Sequence, residues 1–129
     1  MSAIPESHRD FFARPLVATL TTVGPDGLLQ STAVWYILDG DRICVSVRAD
    51  RQKYRNLVRD PRANLFIMEP DNTTRTLEIR ARVEIINDTD KSLADRFIPM
   101  YGKAPSTWDP PGAGRALLVI HPEHVTTLG

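Results

Sequence analysis

Cysteine is nearly absent from this chain: Cys44 is the single one among 129 residues. One cysteine excludes an intrachain disulfide and a zinc centre built from several thiolates. Because Cys44 lies within the apolar run I-C-V-S-V, we expect it to be buried as a small hydrophobic residue. The three histidines show no metal-ligand spacing, so the sequence predicts no metal site.

An excess of either charge is also missing, since 16 Lys and Arg balance 16 Asp and Glu. A protein that binds nucleic acid usually carries a basic surplus, so we expect no nucleic-acid partner. No apolar run approaches the roughly 20 residues of a membrane-spanning helix, and the N-terminus M-S-A-I-P-E-S-H-R-D lacks a secretory core. These absences predict a cytoplasmic protein without a membrane partner.

The fingerprints of several enzyme classes are absent. No glycine-rich dinucleotide motif or P-loop occurs, which argues against nicotinamide binding through a Rossmann unit. Ser106 lies in a Pro/Gly-rich loop without an evident His or Asp partner, so no nucleophilic triad is predicted. Glu78 and Glu84 fall on the exposed face of an alternating strand, which leaves two-carboxylate hydrolysis unsupported.

What the chain does contain is the pattern of one mainly β domain, residues 1–129. Turn signals and β-branched runs predict six strands, at residues 16–23, 28–38, 42–47, 63–68, 73–86 and 116–121. In the fifth strand apolar and charged residues alternate as L-E-I-R-A-R-V-E-I, so one face should be buried. Helices are predicted at 6–13, at 51–59 with Asp50 as N-cap, and from Asp88 or Thr89 to Tyr101. Six antiparallel strands fit a closed barrel, because closure removes the exposed edges of an open sheet.

The densest positive charge of the chain follows the third strand. Between residues 45 and 65, two carboxylates accompany six cations, a local charge of +4, at Arg48, Arg51, Lys53, Arg55, Arg59 and Arg62. Cations at the start of a helix oppose its dipole, so an external anion such as a phosphate would explain their placement. The alternative is a solvated basic helix whose charges pair with Asp50 and Asp60 and bind nothing.

Polar residues in the middle of the second strand form another candidate group. Gln30 and Thr32 either face solvent or hydrogen-bond to a bound ligand. Trp35 and Tyr36, at the end of this strand, are expected in the core or at an interface rather than stacked on a ligand. Trp108, in the Pro/Gly-rich loop, is a candidate lid or a hydrophobic plug for the end of the barrel.

Three stretches together resemble the pyridoxamine 5′-phosphate oxidase-like split β-barrel proteins, which bind flavin or deazaflavin. They are G-L-L-Q-S-T-A-V-W-Y at 27–36, V-S-V-R-A-D-R-Q-K-Y-R-N-L-V-R-D-P-R at 45–62, and L-E-I-R-A-R-V-E at 77–84. The most specific piece is R-x-K-x-R-N-L-x-R-D-P-R. The chain looks closest to the actinobacterial branch that uses the deazaflavin coenzyme F420.

The resemblance implies a six-stranded antiparallel split β-barrel of the FMN-binding type, with peripheral helices. It also implies a homodimer whose two cofactor sites lie at the subunit interface. Carried over by position, Gln30 and Thr32 would lie beside the flavin-type ring, and Ser46 would contact the phosphate end of the cofactor.

The resemblance further implies that Arg51 and Lys53 hold the cofactor phosphate, with Arg55 and Asn56 as secondary candidates. One departure is Ala81, where the family often has Gly, because a side chain there would narrow the pocket. Members also often place an aromatic residue before the fifth strand, where this chain has N-T-T-R-T. Arg75 in that segment is the candidate for the acidic tail of the cofactor.

The function implied is an oxidoreductase in which reduced F420 delivers a hydride to a small unsaturated or quinone-like organic substrate. One alternative is an FMN-binding oxidoreductase of the pyridoxamine 5′-phosphate oxidase-like type. Another is a non-catalytic barrel that carries a cofactor or a tetrapyrrole-like ligand. The residues single out no catalytic side chain.

Overall fold

One antiparallel sheet of seven strands dominates the structure, a computed structural model that describes residues 3–129. The mainly β, antiparallel prediction is confirmed, whereas the predicted count of six strands is wrong. The strands are β1 (Val17–Val23), β2 (Leu29–Trp35), β3 (Ile37–Asp39), β4 (Arg42–Arg48), β5 (Arg62–Met68), β6 (Thr76–Asn87) and β7 (Arg115–Leu128). Their order in the sheet is β2-β1-β5-β6-β7-β4-β3.

Helices are short and lie outside the sheet order. They are α1 (Gln52–Arg59), α2 (Ile98–Tyr101) and two 3₁₀ helices, Glu6–Ala13 and Ala94–Phe97. Within residues 3–129, no helix has the length and apolar character needed to cross a bilayer.

The additional strand arises because the predicted strand 28–38 breaks at Tyr36. The backbone N–H of Tyr36 donates to the hydroxyl of Tyr101 at 3.1 Å, and that hydroxyl lies 2.8 Å from the carbonyl oxygens of both Tyr36 and Leu16. A side chain from a distant part of the chain thus replaces the sheet partner of Tyr36. Before this point β2 pairs with β1, and after it β3 pairs with β4.

The same break closes the sheet. The strands β2 and β3 lie at opposite ends of the strand order, yet only Tyr36 separates Trp35 from Ile37. The sheet must therefore curl until its two ends meet, as expected for a split barrel. The side chain of Tyr36 is 1% exposed, and its hydroxyl donates to the carbonyl oxygen of Phe11 at 2.6 Å.

The long strands bury one face, as their sequence pattern predicts. The buried residues of β6 are Leu77, Ile79, Ala81 and Val83. Strand β7 extends well beyond the predicted 116–121 and pairs with β6 through an irregularity between Arg80 and Ala81. Cys44 is completely buried, and burial raises the pKa of its thiol to about 11, which agrees with its expected packing role.

The helix predicted over 88–101 is wrong in its first half. Turns come first, with Lys91 at a positive φ of 64°, and helical structure begins at Ala94. The buried carboxylate of Asp88 accepts hydrogen bonds from the backbone N–H groups of Leu93 and Ala94, both at 2.9 Å. The N-cap position is therefore Leu93, not Asp88 or Thr89 as predicted, and Asp88 contributes by accepting hydrogen bonds at the start of a shorter and later helical segment.

The predicted N-cap of α1 is also wrong. Arg51, rather than Asp50, occupies the N-cap position, and it makes no side-chain capping hydrogen bond. The carboxylate of Asp50 instead accepts hydrogen bonds from Arg48 at 2.6 and 3.1 Å. No carboxylate therefore caps the positive end of this helix dipole within the described chain.

Replacing Tyr101 by Phe tests whether its hydroxyl stabilises the closure. Y101F leaves the buried N–H of Tyr36 without its partner, so we expect the free energy of unfolding to fall by about 1–3 kcal/mol in urea denaturation. Tyr54→Phe is the matched control, since Tyr54 is a half-buried tyrosine outside the closure. Equal losses in the two variants would contradict the role of Tyr101.

Candidate functional site

Two adjacent cavities meet at Lys53, which lines both. The first, of about 270 Å³, has largely apolar walls that include Val34, Trp35, Ser46, Pro105 and Trp108. The second, of about 350 Å³, is polar and is lined by Gln30, Thr32, Arg51, Gln52 and Lys53. No carboxylate from residues 3–129 lines either cavity. An apolar compartment thus adjoins a cationic one.

The ammonium group of Lys53 lies between α1 and β2. Its nitrogen donates to the hydroxyl oxygen of Thr32 at 3.3 Å, and the side chain is partly buried. Burial lowers the pKa of Lys53, and the positive charges of Arg51 and Arg115 lower it further. A partly desolvated cation without a counter-ion is unfavourable, so a bound anion at this position would stabilise its charge.

Arg51 stands at the rim of the second cavity. Its guanidinium is exposed and makes no ion pair within the described part of the chain. Each of the other four cations in the segment has an internal partner: Arg48 with Asp50, Arg62 with Asp60, Arg55 with Gln52, and Arg59 with the carbonyl oxygen of Val23. The internal pairing predicted as the alternative therefore accounts for Arg48 and Arg62, and leaves Arg51 and Lys53 available.

Gln30 is held from behind the cavity by Asn56. The Nδ2 atom of Asn56 donates to Oε1 of Gln30 at 3.2 Å and to the hydroxyl of Thr22 at 3.0 Å. Its Oδ1 atom accepts a hydrogen bond from Nε2 of Gln52 at 2.7 Å. Asn56 is 0% exposed, so this candidate lies behind the wall of the site rather than on its surface.

Ser46 is positioned by Arg115, a residue that sequence reasoning missed. Arg115 donates to the hydroxyl of Ser46 at 3.0 Å and to the carbonyl oxygen of Pro105 at 2.8 Å. It also forms a two-point ion pair with Asp109 at 2.7 and 3.0 Å, in which the side chains are only 6% and 3% exposed. Arg115 thus joins β4 to the loop that carries the Pro105 wall of the first cavity.

The aromatic residues divide into a packed pair and an exposed one. Trp35 stacks on Tyr101, with ring centroids 4.5 Å apart and an interplanar angle of 6°, as expected of a core or interface residue. Trp108 is 68% exposed, and Lys103 places its ammonium 5.0 Å from the centre of its ring. Trp108 also lines the first cavity, so it borders the site, and its role as a lid or as a plug stays a prediction.

Three sequence candidates lie elsewhere. Arg55 is exposed and donates to Gln52 and to the carbonyl oxygen of Asp50, and it lines neither cavity. Arg75 is paired with Asp10 and Glu69, beside the N-terminal 3₁₀ helix. Ala81 borders a different cavity, so its methyl group does not narrow the site at Lys53. Among residues 3–129, no group of three or more His, Cys, Asp or Glu is placed to hold a metal ion.

One signal in the sequence pointed to Arg115. A charged residue directly precedes the fully apolar run A-L-L-V-I of β7, where a buried strand normally starts with uncharged residues. Its partner Asp109 and the amide partner Gln52 carried no such signal, because their roles depend on contacts between different elements.

Comparisons with known proteins give a family and several structural neighbours. The family model for pyridoxamine 5′-phosphate oxidase matches residues 4–129. A solved F420 reductase is 34% identical, and the alignment covers 95% of this chain and 98% of that chain with a TM-score of 0.84. A search of curated proteins finds no match.

Two mycobacterial structures share the fold at lower identity. A conserved hypothetical protein from Mycobacterium tuberculosis is 23% identical, with 97% of this chain and 84% of that chain covered and a TM-score of 0.71. A heme binding protein from Mycobacterium smegmatis is 24% identical, with 91% and 50% covered and a TM-score of 0.69. These likenesses concern the fold alone.

Breaking the ion pair between Arg115 and Asp109 should destabilise the protein strongly. Arg115→Met leaves the buried carboxylate of Asp109 with only the ammonium group of Lys91, at 3.5 Å, so we expect a loss of about 3 kcal/mol in the free energy of unfolding at pH 7. Arg48→Met, which breaks an ion pair whose Asp50 side chain is 58% exposed, should reduce the free energy of unfolding much less, because water screens an exposed pair. Similar losses in urea denaturation would contradict a special role for Arg115.

Proposed function

Because the chain belongs to the pyridoxamine 5′-phosphate oxidase family, we propose that it is an oxidoreductase that uses the deazaflavin coenzyme F420. In this proposal a hydride passes between the reduced cofactor and a small unsaturated or quinone-like organic substrate. The 34% identity to an F420 reductase over almost the whole of both chains favours the deazaflavin within this family.

The observation that carries the proposal is the pair of cations without carboxylate partners at the second cavity. Arg51 and Lys53 stand beside a cavity that no acidic side chain of the described chain lines. A phosphodiester supplies the negative charge that this arrangement lacks, and guanidinium and ammonium groups are its usual partners in proteins. The start of α1 has no side-chain cap, and the positive end of its dipole would stabilise a bound anion by an amount on the order of 0.3–1 kcal/mol.

The first cavity suits the flat redox ring of such a cofactor. Its walls are mainly apolar, and Lys53 connects it directly to the proposed phosphate position. Gln30, Thr32 and Ser46 are the polar residues proposed to hydrogen-bond to the ring and its side chain. The same cofactor orientation would place Trp108 at the open edge of the ring.

The proposed roles of the protein are binding, orientation and exclusion of water. When bound, a reduced deazaflavin supplies the hydride, so no protein side chain needs to form a covalent bond. Arg51 and Lys53 hold the phosphate, while the loop fixed by Arg115 shields the ring from solvent. The arrangement assigns no side chain as a proton donor.

FMN is the second candidate cofactor. Its phosphate monoester supplies a negative partner for the cations Arg51 and Lys53. The family model that matches this chain is that of pyridoxamine 5′-phosphate oxidase, a flavin-binding family. A titration of the purified protein with F420 and with FMN separates these candidates. We expect the tighter binding for F420, and turnover with an acceptor then distinguishes an enzyme from a cofactor carrier.

A homodimer is the proposed assembly. Apolar residues are exposed on one face of the neighbouring strands β1, β2 and β5, with Val17 at 54%, Leu29 at 70% and Met68 at 44% exposure. Val17 also lines the first cavity, so a partner covering this face would complete one wall of the site. Val17 and Met68 lie side by side at one end of this face, and exposed apolar side chains of this kind are found at protein interfaces.

Removing either unpaired cation should weaken cofactor binding. Arg51→Ala and Lys53→Ala each delete a charged hydrogen bond of about 1.5–3 kcal/mol, so the Kd for F420 should rise by at least tenfold in a fluorescence titration. The control is Arg62→Ala, which removes a cation of the same segment that is already paired with Asp60. Unchanged affinity in the first two variants would remove the proposed phosphate position.

The assembly is tested separately by light scattering. We expect twice the mass of one chain at micromolar concentration, and a shift towards monomer in Met68→Glu, because a buried carboxylate opposes association. Val58→Glu places the same charge on the exposed face of α1 and should leave the mass unchanged. A monomeric wild-type protein would refute the dimer.

A further inference from the structure

We propose that Arg55, acting through Gln52 and Asn56, fixes the side-chain amide of Gln30 with its NH₂ group towards the second cavity. The cavity then presents mainly hydrogen-bond donors, and it favours a ligand group that only accepts, such as a phosphate or phosphodiester. This inference rests on the proposed function and deepens it. It makes Arg55, Gln52 and Asn56 positioning residues, since none of them needs to touch the ligand.

The direction of the amide chain is set at its outer end by Arg55. A guanidinium group can only donate hydrogen bonds. It donates to Oε1 of Gln52 at 2.8 Å and also to the carbonyl oxygen of Asp50 at 2.8 Å, which holds it in place. With Oε1 of Gln52 used as an acceptor on that side, its Nε2 atom faces Asn56 and donates to Oδ1 at 2.7 Å.

The buried Asn56 passes this direction to Gln30. Because Oδ1 of Asn56 accepts from Gln52, its Nδ2 atom is left to donate on the other side, at 3.2 Å to Oε1 of Gln30 and 3.0 Å to the hydroxyl of Thr22. The acceptor atom of Gln30 is therefore turned towards Asn56. Its Nε2 atom has no hydrogen-bond partner within residues 3–129 and is the atom available to the cavity that Gln30 lines.

A second cation, Lys53, orients the hydroxyl group of Thr32 so that its hydrogen is available to the cavity. Lys53 can only donate, and it donates to the hydroxyl oxygen of Thr32 at 3.3 Å. The hydroxyl hydrogen of Thr32 is then free to donate to a ligand. Together with the guanidinium of Arg51, the ammonium of Lys53 and the NH₂ group of Gln30, this hydroxyl gives the cavity a predominance of donors.

A surface made of donors discriminates between ligand groups. The oxygens of a phosphate can accept these hydrogen bonds, whereas an ammonium group, which only donates, would bring donors against donors. A wrong pairing carries a penalty because the half-buried groups of Gln30, Thr32 and Lys53 would lose hydrogen bonds to water without gaining a partner. The orientation of one amide thus contributes to specificity for anions as well as to affinity.

The chain is well suited to a direct test because both of its glutamines belong to this set. Gln30 and Gln52 are the two glutamines of the sequence, and only four asparagines accompany them, so the side-chain NH₂ signals are few. Inorganic phosphate is titrated into ¹⁵N-labelled protein, and loss of a signal in Gln30→Leu assigns Gln30. We expect the NH₂ signals of Gln30 to shift saturably, while those of Asn72, in an exposed turn, stay in place.

A double-mutant cycle tests the coupling between Asn56 and Gln30. In Asn56→Asp the carboxylate only accepts, so Gln30 must turn its NH₂ group inwards and present its oxygen to the phosphate. We expect Asn56→Asp to weaken phosphate binding about tenfold more in the wild-type background than in a Gln30→Leu background, which carries the added charge but no amide to turn. Equal losses in the two backgrounds would overturn the proposal.

Variants of Arg55 provide a second test. Because Arg55 is exposed, replacing it does not disturb the buried position of Asn56. Arg55→Met frees the amide of Gln52 and should weaken phosphate binding several-fold, and Arg55→Lys, which keeps a donor and the charge, should restore most of it. Arg59→Met removes a charge from the same helix without touching Gln52 and serves as the control. Equal effects of Arg55→Met and Arg59→Met would show charge alone and would overturn the proposal.

The outcome also separates this inference from the redox assignment. If phosphate shifts Gln30 and the cycle shows coupling, while neither F420 nor FMN binds, the amide orientation stands and the redox function fails. If F420 binds but phosphate leaves Gln30 unmoved, the redox function stands and the positioning chain is refuted.

Discussion

The hydrogen bonds between the Tyr101 hydroxyl and the backbone of Tyr36 determine which strands become neighbours. By replacing the sheet partner of Tyr36, they divide one run of sequence into β2 and β3 at opposite ends of the strand order. The sheet then closes at this point and brings β2 near the start of α1. The hydrogen bond from Lys53 to Thr32 crosses that junction, so the candidate site depends on the closure.

Electrostatics within the basic segment explain why two cations, rather than six, are available to a ligand. Arg48 and Arg62 have carboxylate partners two residues away in sequence, and such exposed pairs neutralise the cations while stabilising the protein little. Lys53 is different, because partial burial lowers its pKa and no carboxylate compensates. The helix dipole opposes a cation there as well. Both partial desolvation and the helix dipole therefore disfavour the charged form of Lys53. A bound anion would offset both effects.

Much of the fold could be predicted from local sequence patterns. The predictions that were wrong concern features that depend on contacts between distant elements. Alternation along β6 and the turns between strands were sufficient to predict a mainly β, antiparallel domain. The break at Tyr36 depends on Tyr101, and the late helix start at Ala94 depends on the buried carboxylate of Asp88, so neither could be derived from local pattern. The sequence likewise placed Arg51 and Lys53 in one cluster. It could not reveal that Asn56 lies behind Gln30, because that contact joins α1 to β2.

The proposed cofactor position is tested most directly by a crystal structure of the protein grown with F420. We expect electron density for the cofactor phosphate within hydrogen-bonding distance of Arg51 and Lys53, with the deazaflavin ring in the cavity bordered by Trp108. A structure in which saturating F420 leaves that position empty, and in which both cations are paired with side chains of the protein, would contradict it.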